Sequence, residues 1–117
     1  MLVGHYTDKT PEPQTKAGTD KTVLRTLIYR DEGARVFSLR VITIDPGGHI
    51  GLHSHSWEHE IFVFHGTGIA RTPDVEKEIN PGDYVWIPPD EVHGFDNTGD
   101  TPLEFVCCIP IKSGSGG

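Results

Sequence analysis

The chain has 117 residues, 35% of them hydrophobic, which suits a single domain with a core that needs no disulfide or structural zinc. Its formal net charge of −7 opposes nucleic-acid binding, which needs a basic face to displace counterions, and disfavours anionic membrane surfaces. No apolar run reaches the length of a membrane span, residues 1–20 lack a signal-peptide core, and the only cysteines are the adjacent Cys107 and Cys108; a reduced, cytoplasmic protein is expected.

Residues 1–20 are polar, with Pro11, Pro13 and Gly18, and read as an irregular N-terminal arm. The segment 21–111 is a series of short β-rich runs: Thr22–Tyr29, Arg35–Ile44, Ile50–His55, Glu60–His65, Gly68–Thr72, Val75–Ile79, Asp83–Ile87, His93–Asp96 and Leu103–Ile109. Turn chemistry separates them, as in Asp45-Pro46-Gly47-Gly48, Asn80-Pro81-Gly82-Asp83 and Pro88-Pro89-Asp90. No window carries a helical period, so one all-β domain is expected, a sandwich or closed barrel. The closing 112–117 is Gly/Ser-rich and reads as a flexible tail.

One pattern bears on assembly. Along Ile61-Phe62-Val63-Phe64 both strand faces are apolar, whereas a strand of an isolated small barrel should have one wet face. A homodimer is expected, although cover by the N-terminal segment would leave the same pattern.

Chemistry is concentrated in four histidines. His53, His55 and His59 lie within seven residues, and His93 follows Pro88-Pro89-Asp90, a rigid turn that returns a distant strand to them. Neutral imidazole is a common metal ligand near neutral pH. His53 and His55 share one face of a strand, and His59 shares parity with Ile61 and Val63, which directs its ring inward. The residue types and offsets point to a divalent metal ion held by His53, His55, His59 and His93. His5, His49 and His65 read as surface residues. Ile61, Val63, Phe105 and Cys107 are expected to line an apolar pocket behind the ligands for a small-molecule substrate, with Trp57 at its mouth or at a dimer contact.

These motifs resemble those of the cupins. Gly47, His53, His55 and Gly66 fit the first cupin motif, with His59 where a glutamate usually stands. Gly82, Pro88, His93 and Asn97 fit the second, with Asp90 replacing the inner glycine. The resemblance implies a cupin double-stranded β-helix, or jelly-roll barrel, of the small single-domain kind with a four-histidine, manganese-type site. Glu60 is the alternative ligand under the looser motif spacing, but strand parity turns it outward.

Four neutral ligands leave the full charge of a divalent ion, so the site should favour anionic or chelating oxygen donors and lose metal as pH falls. All-nitrogen sites suit manganese, iron, copper, nickel and zinc; the resemblance places manganese first. Three activities fit: a metal-dependent oxidoreductase of dioxygenase type, a non-redox isomerase or lyase, and a metal- and ligand-binding module without turnover.

Overall fold

The computed structural model describes residues 1–16 and 18–111; the tail at 112–117 lies outside the described residues. Strand β3 (Phe37–His53) is the spine of the molecule. Strand β2 (Asp20–Ile28) pairs along one of its edges. The other edge is shared by β9 (Leu103–Pro110), along Phe37 to Ile44, and by β8 (His93–Asn97), along His49 to His53. One strand therefore serves both layers of the barrel.

The device that allows this is Asp45-Pro46-Gly47-Gly48. Those residues were expected to end one strand and begin another. Instead the register passes from Thr22 opposite Ile44 to Asp20 opposite His49, so the four residues bulge out of a strand that bends and continues. Pro46 has no N–H to offer the ladder, and Gly47 takes a φ of +81°, so the segment leaves the pairing without reversing direction.

The remaining strands are β4 (His59–His65), β5 (Gly68–Arg71), β6 (Glu76–Ile79) and β7 (Tyr84–Ile87). All pairings are antiparallel, in the order β6-β5-β8-β3-β9-β4-β7, and the sheet curls into the expected all-β double-stranded β-helix. Alternation sets the interior: Leu103, Phe105, Cys107 and Ile109 of β9 face His59, Ile61 and Val63 of β4 in one buried row.

The segment read as an irregular arm is partly ordered by pairing. It holds a 3-10 turn at Tyr6–Asp8 and a short strand β1 (Glu12–Pro13) on β2. Tyr6 packs edge-on against Phe64 at 5.7 Å, so the arm covers one of the outward aromatics of β4. Phe62 is left 51% exposed, beside Tyr84 and Trp86 of the paired β7.

Gly66 closes β4 at a φ of +79°, and a Cβ there would meet the carbonyl of Pro102 and lie 2.8 Å from Leu103 Cα. Gly66→Ala should lower unfolding free energy by at least about 2 kcal/mol, read from urea denaturation. An unchanged midpoint would contradict this packing.

Candidate metal centre

Four separate backbone positions bring the histidines together. His53 is the last residue of β3 and pairs across the ladder with His93, the first residue of β8. His59 opens β4. His55 was expected on the same strand as His53, but β3 ends one residue past Leu52, and His55 sits in the following loop. That loop is pinned by Asp90, whose N–H donates to the His55 carbonyl at 2.8 Å. Asp90 has a φ of +69°, the left-handed turn its glycine-replacing position demands, which a short polar side chain tolerates.

The rings converge. Nitrogens of His53, His55 and His93 all lie within 4.8 Å of one another, so these three could hold a metal ion. His59 joins them through its Nε2, 2.6 Å from Nε2 of His55, with its ring centroid 5.5 Å from that of His93. Glu60, the alternative ligand, is exposed opposite Trp86.

The outer nitrogen of every ring is tied. Nδ1 of His53 donates to the Gly51 carbonyl at 2.9 Å, that of His55 to Trp57 at 2.8 Å, and that of His93 to Glu91 at 2.7 Å. A carbonyl can only accept, so the proton sits on Nδ1 and the Nε2 lone pair faces inward. His59 differs: its Nδ1 lies 2.7 Å from Cys107 Sγ, which can give or take a proton. For all four lone pairs to face one cation, His59 must carry its proton on Nδ1, and the sulfur is placed to accept it. Trp57 stacks on His55 at 4.3 Å and 7°, fixing that ring from outside the cavity.

Burial favours the neutral form of His55, His59 and His93. Desolvation lowers the His59 pKa to about 2 and that of His93 to about 4, with neighbouring imidazoles adding to the effect; His55 is also lowered, chiefly by desolvation. Burial raises the Cys107 thiol, against the lowering pull of Arg40.

A cavity of about 90 Å³ lies beside the imidazoles. Ile61, Phe105 and Cys107 line it; Val63 and Trp57 do not. Beside these apolar walls stand Arg40, buried at 4% exposure, and Gln14, Lys16 and Thr19 of the arm. The signal for Arg40 was its parity with Ile42 and Ile44 on β3; a charge in an inward-facing row marks a buried polar site. Nothing in the composition of residues 1–20 signalled that the arm would reach the cavity.

Each depressed imidazole binds a proton more readily in the unfolded chain, near its ordinary value of 6.5. Their stabilising contribution is intact above that pH and is lost as pH falls below it, with His93 alone costing about 3 kcal/mol by pH 4. The melting midpoint of metal-free protein should therefore drop steadily from pH 7 to pH 4.5; a flat profile would contradict the buried, neutral assignment. Cys107→Ala should weaken metal binding about tenfold in a chelator-dye competition, because His59 loses the acceptor that orients it.

Residues 40–109 match the family model described as Cupin domain. The polyketide cyclase RemF from Streptomyces resistomycificus is similar in structure, with a TM-score of 0.90 and 32% identity over 98% of this chain and 82% of that one. A predicted oxalate decarboxylase from Thermotoga maritima follows at TM-score 0.82 and 26% identity, over 95% of this chain and all of the other. An oxalate-binding protein of the same organism is 35% identical over 77 residues, which span 65% of this chain and 62% of the relative. With the fold, the glycine turns and the paired histidine motifs all in place, the chain belongs to the cupin family.

Proposed function

We propose that this cupin binds a divalent metal ion through His53, His55, His59 and His93 and acts on a small, oxygen-rich organic substrate in a ring closure of the polyketide-cyclase kind. The observation that carries the metal reading is the convergence of four imidazoles whose outer nitrogens are all engaged elsewhere. The substrate class is supported by the 98% coverage and TM-score of 0.90 against the polyketide cyclase, a likeness that includes the arm. When bound, the ion supplies a Lewis acid for carbonyl and enol oxygens.

The chain's own residues supply the rest. Backbone carbonyls hold His53, His55 and His93 in one tautomer, and Cys107 orients His59, so little reorganisation accompanies ligand binding. Leu24, Ile42, Ile61 and Phe105 present apolar walls to the carbon skeleton, and Gln14 and Thr19 offer polar contacts at one side. A cytoplasmic setting, which keeps Cys107 and Cys108 reduced, belongs to the same reading; no helix of the described residues is long and apolar enough to cross a membrane.

A second reading, a dioxygenase with manganese first and iron next, is favoured by the all-nitrogen ligand set and the apolar cavity beside it. Oxygen uptake separates the two. Protein loaded with manganese, iron or zinc is offered poly-β-carbonyl chains and small diketones. The cyclase reading predicts cyclised product without oxygen consumption, with zinc as well as with manganese, and loss of at least about a hundredfold in His59→Ala. Oxygen uptake confined to manganese or iron would replace it by the oxygenase reading. Metal binding without turnover on any substrate would leave a binding module.

The pairing of two copies through the exposed face of β4 and β7 is part of the proposal. Phe62, Tyr84 and Trp86 leave there an apolar surface that the arm does not reach. Light scattering should give twice the chain mass, and Phe62→Glu with Tyr84→Glu should give monomer; a wild-type monomer would contradict it.

A further inference from the structure

Arg40 is 4% exposed, and arginine keeps its charge at any pH a folded protein tolerates. Among the described residues the carboxylates in ion pairs serve other cations, Glu32 with Lys9 and Asp96 with Arg71. The Nη2 of Arg40 donates to Cys107 Sγ at 3.2 Å, a weak acceptor, and its buried Nε has no partner. Among the described residues no acidic side chain lines the cavity into which it faces, and the second cation there, Lys16, adds to the positive charge. Interior charges are normally retained where something of opposite sign completes them. Here the protein does not provide it.

We infer that Arg40 is the anion-binding element of the cavity, holding a negatively charged oxygen, carboxylate or enolate, of an organic ligand. The position fits that role. Arg40 and Cys107 are partners across the β3–β9 ladder, and the same sulfur lies 2.7 Å from His59 Nδ1. Arg40 also lines the same cavity as His53, His59 and His93, so one small molecule held there can touch both the guanidinium and the imidazoles. A guanidinium fork matches two oxygens at once, and the apolar walls formed by Leu24, Ile42 and Phe105 strengthen the attraction by excluding water. A cavity of about 90 Å³ suits a small chelating anion or the reactive end of a longer chain. The inference rests on the metal reading only for the ligand's second oxygen.

The test is calorimetric titration of the full chain, at measured metal content, with oxalate for the carboxylate and acetylacetone for the enolate. Wild type is compared with Arg40→Met and Arg40→Lys. At equal metal occupancy, Arg40→Met should weaken binding of at least one probe by about tenfold or more, with Arg40→Lys between it and wild type. The probe that responds identifies the anion class. The melting midpoint of Arg40→Met without ligand should equal or exceed that of wild type, because an uncompensated charge has left the interior. Equal binding of both probes by wild type and Arg40→Met overturns the inference, as does failure of both to bind loaded wild type. A steep fall in the Arg40→Met midpoint with unchanged binding by Arg40→Lys overturns it in favour of a structural role. Protein that takes up no metal yet binds oxalate through Arg40 would refute the metal reading and sustain this one.

Discussion

The molecule depends on how its histidines are held from behind. Three donate an outer N–H to backbone carbonyls and the fourth rests on a buried sulfur, so four inner nitrogens are left to face one another. A buried imidazole needs partners for both nitrogens; here the outer ones are tied to the protein, and among the inner ones Nε2 of His55 and Nε2 of His59 lie 2.6 Å apart. Leaving inner nitrogens to face one another is costly in the absence of a cation, because the buried rings of His59 and His93 must stay neutral and desolvated. The depressed values of His59 and His93 are the electrostatic measure of the cost.

The barrel can hold such a cluster because the ligands are distributed over its stiffest parts. His53 and His93 are partners on the ladder between β3 and β8, and His59 starts the strand that packs beside β9. Only His55 rides on a loop, and that loop is clamped between Trp57 stacking and the Asp90 N–H. The bulge at 45–48 lets β3 bend from one layer into the other and so delivers His53 to the same end as His59. Arg40 lies further down this spine, which gives the cavity a fixed positive charge beneath neutral ligands. A protein whose overall charge is −7 thus encloses a site built for anions.

Much of this was legible in the sequence. The turn residues and alternating runs located the strands to within a residue or two, and the parity of His59 with Ile61 and Val63 placed it in the buried row where it lies. The bulge at Asp45-Pro46-Gly47-Gly48 was read as a turn because its residues suit either, and only the pairing of β2 across both flanks decides between them. Arg40 escaped notice for a related reason: a lone arginine in a strand looks like an edge charge until the neighbours on both sides are known. The reach of Gln14 and Thr19 into the cavity is set by docking of the arm, which local composition does not encode. The exposed aromatics of β7 were likewise invisible, since Tyr84-Val85-Trp86-Ile87 reads as a strand without saying which face is wet.

The central claim concerns what surrounds the ion, and X-ray absorption at the metal edge measures that most directly. Metal-loaded protein should show the multiple-scattering signature of four imidazoles with the remaining scatterers light oxygen atoms, and Arg40→Met should leave that shell unchanged. A sulfur scatterer from Cys107, or a shell with fewer than four imidazoles, would contradict the account.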